Sequence, residues 1–311
     1  IEAFAAAGIK IVELGVPFSD PMADGPTIQY SSQKALEHGV TLKKIMSFAR
    51  GIKSSSGVSL VLMSYYNPIY QYGPDKFLKD CAEHGIEGII IPDLPAEESR
   101  EITAKARKNG VAFIFMLSPT SGRGRIKLAA KNASGFIYYV SLTGVTGERK
   151  KLDASIGSSV KLIKSLTSLP VAVGFGISTA EHVKEVVKYA DGAVVGSAII
   201  KVIMKNKGKN TVKAVSKYAA ALQRAAGRRQ GQPLGGLPGF SHSLCSGTPR
   251  QRAAFSPRFW RRPLEVPGAQ RTGDGRASEA PLWNRGTRSE AFQTRENGEL
   301  RRRPCPWRKM K

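Results

Sequence analysis

Two carboxylates in this chain are placed where they could carry out acid–base chemistry. Glu13 lies at the end of the apolar run Ile9–Leu14, and Asp24 follows eleven residues later in a loop. Side chains alternate between the two faces of a strand, so Val12 and Leu14 share one face and Glu13 takes the other. Covering helices need the apolar face, which turns Glu13 toward the interior. An ionised carboxylate there is costly unless it is paired or used.

Two carboxylates in different environments suit a titrating acid/base and a fixed anion. The alternative for Glu13 is a structural salt bridge across the interior. The alternative for Asp24, and for Asp20 in the same loop, is a loop or helix N-cap residue. Tyr65 and Asp93 follow later strands and are predicted to line the same site. Tyr65 could instead sit on a core rim, and Asp93 could instead cap a helix.

Two glycine-rich turns indicate a phosphate site. Val173–Ser178 and Val195–Ile199 each follow an apolar strand and open a helix. Glycine lets the backbone approach a ligand, and the amides at a helix start carry partial positive charge. We therefore expect Gly176, Gly196 and Ser197 to bind phosphate. The alternative is that tight turns between strand and helix need glycine for their own geometry.

The segment Ser141–Lys151 carries glycines at positions 144 and 147 ahead of a polar stretch. It is a candidate mobile lid, with an ordinary surface loop as the alternative. Metal chemistry finds little support, since the four histidines are scattered without metal-ligand spacing. The sequence therefore predicts neither a metal nor a cofactor.

The elements that must position these residues repeat a strand–loop–helix unit. Predicted strands are Ile9–Leu14, Val58–Met63, Gly88–Ile91, Val111–Met116, Gly135–Val140, Val171–Gly174 and Gly192–Val195. Predicted helices are Pro26–His38, Leu42–Ile52, Asp75–His84, Ala96–Lys108, Arg123–Asn132, Ser158–Leu166, Thr179–Lys188 and Thr211–Gln223. Alternation of this kind predicts an α/β fold with a parallel sheet. Seven strands after a start within a helix predict a (β/α)8 TIM barrel lacking its first strand, with a doubly wound open sheet as the alternative.

The composition changes sharply after position 226. Residues 1–226 hold 23 Lys and 7 Arg, whereas residues 227–311 hold 2 Lys, 16 Arg and no Ile. A segment so poor in β-branched residues cannot offset its ordering entropy. We predict a barrel domain over 1–226 and a disordered basic tail over 227–311 that is not part of the domain. An alternative function follows from this tail, namely nucleic-acid binding on an inert barrel remnant.

The remaining composition excludes some classes of protein. Apolar runs fall far short of the ~20 residues that a membrane span needs. Three cysteines without a Cys-x-x-Cys pair favour a reducing compartment over a disulfide scaffold. We expect a cytoplasmic location. The plastid is the alternative, because the chain opens on Ile1 and not on Met, so that the N-terminus, where a targeting peptide would lie, is missing.

With these motifs assembled, residues 1–226 resemble the tryptophan synthase alpha subunit family. The segment from Glu13 to Pro26, ELGVPFSDPMADGP, is similar to that family's signature. Supporting matches in family order are Met63–Pro68, Pro92–Pro95, Ser141–Gly147, Gly174–Ile177 and Gly196–Ala198. Another phosphate-binding barrel of indole or histidine biosynthesis would share the glycine turns but lack the Pro-Phe-Ser-Asp-Pro segment.

The resemblance implies a lyase that cleaves indole-3-glycerol phosphate to indole and glyceraldehyde 3-phosphate, with a beta subunit as partner in an alpha2-beta2 complex. It implies Glu13 as acid/base and Asp24 as the carboxylate on the indole N–H. Substrate contacts would come from Tyr65, Asp93, Tyr138 and Thr146, and phosphate contacts from Gly147, Gly176, Gly196 and Ser197. The family's opening helix, first strand and following loop have no counterpart here, which leaves open that the chain is inactive.

Overall fold

The computed structural model describes residues 1–141, 155–174, 176–206, 208 and 210–227. All of them belong to the first of two units into which the chain divides, Ile1–Arg250. The predicted tail lies outside the described residues except for Gly227, and its disorder stays a prediction.

Strands and helices alternate along the described residues, as the hydrophobic pattern predicts. The strands are β1 (Ile11–Gly15), β2 (Ser59–Met63), β3 (Ile86–Ile90), β4 (Ala112–Leu117), β5 (Ile137–Val140), β6 (Val171–Gly174) and β7 (Gly192–Ala193). The helices are α1 (Glu2–Ala6), α2 (Pro26–Glu37), α3 (Leu42–Ser56), α4 (Tyr66–Tyr72), α5 (Pro74–Glu83), α6 (Arg100–Lys108), α7 (Arg123–Asn132), α8 (Ser155–Lys164), α9 (Ala180–Val186), α10 (Ser197–Lys205) and α11 (Thr211–Ala225).

The described strands form one parallel sheet in the order β1-β2-β3-β4-β5-β6-β7. Each strand pairs with the next one in the chain, so the order never reverses as it must in a doubly wound sheet. The predicted barrel-type α/β fold is therefore confirmed, and the doubly wound alternative is wrong. Within the described residues, β1 and β7 are the edges of this seven-stranded sheet.

Two apolar layers sandwich the sheet. The larger lies between strands and helices and includes Val12, which supports the predicted outward face of β1. The smaller lies inside the curved sheet and consists of buried residues with partly buried neighbours, among them Val61, Ile90, Ile114, Phe136, Ile11 and Tyr138. Because Ile11 is interior and strand faces alternate, Glu13 also faces inward, opposite Val61 in the register of β2.

Helix α4 is absent from the predicted helices, and its first turn contains Asn67 and Pro68. Proline is tolerated in the first turn of a helix, whose N–H groups have no intrahelical partner. The backbone N–H of Tyr66 is instead satisfied by Asp93, 27 residues away, which no local pattern could reveal. The predicted start of α6 at Ala96 was also early, since that helix begins at Arg100.

Contacts between helices connect the two edges of the sheet, β1 and β7. Helix α1 packs against α11, and α2 packs against α10. Every residue of α1, α2 and α10 keeps part of its surface exposed. These helices therefore gain less from apolar burial than α5 does, which buries Phe77 and Leu78. Within the described part of the chain, no helix has the length and apolarity to cross a membrane.

Candidate active site

Glu13 projects from β1 into the interior of the sheet. Protein atoms crowd around its carboxylate, although the residue as a whole is exposed to solvent. Burial raises the pKa of Glu13 from 4.5 to about 7, and the negative charge of Asp24 adds to that shift. Contact with solvent relieves part of the cost of desolvating the charged carboxylate, but the pKa of Glu13 is still raised. A carboxyl group that titrates near neutrality can both give and take a proton.

Asp24 lies half-buried at the end of the β1–α2 loop. The hydroxyl of Tyr65 donates a hydrogen bond of 2.9 Å to its Oδ2 atom. Burial raises the pKa of Asp24, and the Tyr65 hydrogen bond opposes that rise by stabilising the charged form. The helix-capping alternative is not what the structure shows, because α2 is capped at Gly25 without a side-chain hydrogen bond. The carboxylate is held in the site instead.

Tyr65 follows β2, and its side chain is buried. Its hydroxyl donates to Asp24 and also accepts the backbone N–H of Ala23 at 2.9 Å. Its ring lies 5.3 Å from the ring of Phe18, centroid to centroid. Burial raises the pKa of Tyr65, so the phenol stays protonated and available as a donor. Tyr65 therefore connects both ends of the β1–α2 loop to the sheet.

Tyr138 faces the same interior from β5. Burial is the main cause that raises the pKa of Tyr138, and the negative charges of Glu13 and Asp24 raise it further. Tyr138 therefore lies within electrostatic range of both carboxylates. The Tyr138 ring lies against Gly174 on β6, where a Cβ atom would sit 2.4 Å from the ring carbon Cε2. A side chain at position 174 would therefore force the Tyr138 ring to shift.

Asp93 is exposed, and both of its carboxylate oxygens accept the backbone N–H of Tyr66, at 2.9 and 3.1 Å. It therefore caps the start of α4, directly after Tyr65. The capping alternative describes its contacts, although the helix is α4 and not the one that follows Asp93. A direct substrate contact by Asp93 stays a prediction.

The two predicted phosphate turns lie after β6 and β7. Gly176 adopts a positive φ of 77°, which favours glycine. Gly196 precedes α10, a Cβ atom there would meet nothing within 4 Å, and both Gly196 and Ser197 are exposed. The start of α10 is thus open to a ligand. Gly147 and Thr146 lie outside the described residues, as does most of the predicted lid.

Ser178 fixes the first of these turns to the helices around it. Its carbonyl oxygen accepts a 2.6 Å hydrogen bond from the Tyr218 hydroxyl of α11. Thr179 caps α9 by accepting the backbone N–H of His182.

Across the described residues, no group of three or more His, Cys, Asp or Glu side chains could hold a metal ion.

Sequence reasoning missed the contacts of Ser32 and the steric role of Gly174. Ser32 lies within α2 and bonds to the backbone of Phe18, fourteen residues earlier. The sequence places Gly174 at the end of a predicted strand and in a glycine-rich turn, and indicates no steric role for it. Neither role leaves a local signal, because each depends on a partner that the fold brings in.

Comparison with known proteins decides the family. The family model for the tryptophan synthase alpha chain matches residues 1–227. The chain belongs to the tryptophan synthase alpha chain family. All described residues of the candidate site lie within the matched region.

Family relatives support the assignment along the same stretch. The tryptophan synthase alpha chain of Geobacter sulfurreducens is 48% identical over 227 residues, covering 73% of this chain and 86% of that protein. The Legionella pneumophila tryptophan synthase alpha subunit superposes with a TM-score of 0.65 at 33% identity, covering 72% and 84% of the two chains. A chain of Mycobacterium tuberculosis tryptophan synthase gives a TM-score of 0.67 at 32% identity, with the same coverage.

Proposed function

We propose that this chain is the lyase that cleaves indole-3-glycerol phosphate to indole and glyceraldehyde 3-phosphate in tryptophan biosynthesis. The observation that carries the proposal is the electrostatic coupling of Glu13, whose pKa is raised to about 7, with Asp24, which a tyrosine hydroxyl holds in place. One group is tuned for proton transfer, while the other is positioned as an anion. Family membership supplies the substrate.

The reaction is a retro-aldol cleavage that needs no added electron sink. Protonated Glu13 donates its proton to C3 of the indole ring, which becomes an iminium ion. The Asp24 carboxylate accepts the ring N–H and stabilises its growing positive charge. Glu13, now ionised, takes the proton of the glycerol hydroxyl next to the ring. The carbon–carbon bond then breaks, and its electron pair restores the aromatic indole.

The phosphate group lies at the glycine turns in this proposal. The exposed start of α10, with Gly196 and Ser197, presents backbone N–H groups and the positive end of a helix dipole. Gly176 supplies the neighbouring turn, and Gly147 with Thr146 would complete the site. Binding of this remote group supplies energy for orienting the reacting carbon.

The product indole would pass to a tryptophan synthase beta subunit, the proposed partner in an alpha2-beta2 complex. Family membership supports a partner of this kind.

A cytoplasmic location, with the plastid as the alternative, belongs to the same proposal. Neither the family model nor these relatives support nucleic-acid binding through the tail.

The proposal is tested with Glu13→Gln in the 311-residue chain. We expect kcat for indole release to fall by at least ~10², with little change in substrate binding, because the amide cannot transfer the proton. Glu98→Gln, which changes an exposed carboxylate, is the matched control. Near-normal kcat in Glu13→Gln would remove Glu13 from the mechanism. Absence of indole release in the unmodified chain would contradict the proposed activity.

A further inference from the structure

Ser32 in α2 holds the start of the β1–α2 loop by two hydrogen bonds to one residue. Its Oγ atom accepts the backbone N–H of Phe18 at 2.9 Å and donates to the Phe18 carbonyl oxygen at 3.1 Å. A hydroxyl is both donor and acceptor, so a single side chain satisfies both backbone groups of Phe18. Rotation of this loop residue relative to α2 would break at least one of the bonds.

The same helix holds the other end of the loop. The Nε2 atom of Gln29 donates to the carbonyl oxygen of Asp24 at 2.9 Å. Residues three apart lie on one face of a helix, so Gln29 and Ser32 act side by side. Together they attach the segment 18–24 to α2 at both ends.

From Phe18 the contact path reaches the carboxylate that binds the ring N–H. The Phe18 ring packs 5.3 Å from the ring of Tyr65, whose hydroxyl donates to Oδ2 of Asp24. Helix α2 contributes no fully buried residue, so apolar burial does little to hold the loop against it. The polar contacts of Ser32 and Gln29 therefore join the loop to the exposed helix directly.

We propose that Ser32 is a positioning residue that keeps Asp24 at the place where it stabilises the iminium ion. Ser32 does not touch the reacting atoms. It acts by fixing Phe18, which fixes the ring of Tyr65 and through it the carboxylate. The inference deepens the proposed lyase function and rests on it for its kinetic consequence.

The experiment compares Ser32→Ala, Ser32→Thr and Ser31→Ala in the 311-residue chain. Ser31 is the neighbour of Ser32 on the same helix, so its replacement carries the same change in helix propensity at a position turned by about 100°. For Ser32→Ala we expect kcat to fall about 10- to 100-fold with KM within about twofold, because misplacement of a catalytic group lowers the rate and not the binding. Ser32→Thr retains a hydroxyl and should recover most of kcat. Ser31→Ala should behave like the unmodified chain.

Two results would overturn the role of Ser32: unchanged kcat in Ser32→Ala, or an equal loss in Ser31→Ala. If Ser32→Ala fails to fold, Ser32→Cys replaces it, since the thiol keeps the size but is a weak donor and acceptor. Its kcat should fall below that of Ser32→Thr, and a Ser32→Cys enzyme as fast as the unmodified chain would also overturn the role.

A structural measurement separates this inference from the proposed function. The carboxyl carbon of Asp24 is followed by NMR in chains labelled with 13C-aspartate. Its resonance should move in Ser32→Ala and stay in place in Ser31→Ala. If the unmodified chain fails to release indole, the proposed function fails, and this resonance alone decides whether Ser32 positions Asp24. A resonance unchanged by Ser32→Ala would show that it does not.

Discussion

Replacement of Tyr65 by Phe tests how far the site depends on one hydroxyl. That hydroxyl makes two hydrogen bonds of 2.9 Å, donating to Asp24 and accepting from the N–H of Ala23. Phenylalanine keeps the ring, and therefore the packing against Phe18. The change thus removes both hydrogen bonds between Tyr65 and the loop and leaves the ring contact with Phe18 in place.

The expected magnitude follows from the type of bond that is lost. A hydrogen bond to a charged group is worth about 1.5–3 kcal/mol, and 1.36 kcal/mol is a factor of ten. We therefore expect kcat to fall about 10- to 150-fold if the full contribution is felt in the transition state. The Tyr65 hydrogen bond lowers the pKa of Asp24, so its loss should raise that pKa. The acid limb of the kcat profile should accordingly move to higher pH.

The assay is indole release measured from pH 5 to 9, with Tyr72→Phe as the matched control. Tyr72 at the end of α4 also donates to a carboxylate, Asp80, at 2.6 Å, but on the outside of the sheet. The control removes the same kind of bond and should leave kcat and its pH profile unchanged. The reasoning is refuted if Tyr65→Phe changes only KM, or if both variants lose activity equally.

Two further predictions concern stability. Because the pKa of Glu13 is raised to about 7, the folded state holds a proton that the unfolded state has released above its pKa of 4.5. The free energy of unfolding should therefore fall as pH rises from about 4.5 to about 7, and Glu13→Gln, unlike Glu98→Gln, should flatten that slope in urea titrations. Gly174→Ala would place a Cβ atom 2.4 Å from Tyr138 Cε2, and overpacking of this kind costs about 1–3 kcal/mol, or about 2–12 °C in Tm. Tyr138→Leu should restore Tm in the double variant. Gly51→Ala is the control and should not lower Tm, because a Cβ atom added there would meet nothing within 4 Å outside its own helix backbone. A Gly174→Ala protein of normal Tm would show that the ring moves aside freely.

Much of the fold was determined by the sequence, because its signals are local. The apolar strands and amphipathic helices alternate with enough regularity to predict a parallel sheet, and β6 was predicted with its observed bounds. Strand parity also predicted the inward face of β1, since the requirement for an apolar outer face left Glu13 one direction to point. The signature segment from Glu13 to Pro26 identified the family before any contact was known.

Only the tertiary structure decided the contacts that tune and hold the site. Helix α4 depends on Asp93 for its first N–H, and the Asp24 carboxylate depends on Tyr65, 41 residues away. The shift in the pKa of Glu13 arises from burial and from the charge of Asp24, which the β1–α2 loop folds back toward it. Ser32 and Gly174 look ordinary in the sequence, because a hydroxyl in a helix or a glycine in a strand acquires a function only through its neighbour. Hydrogen bonds, burial and steric fit are properties of pairs, and the pairs exist only after the chain has folded.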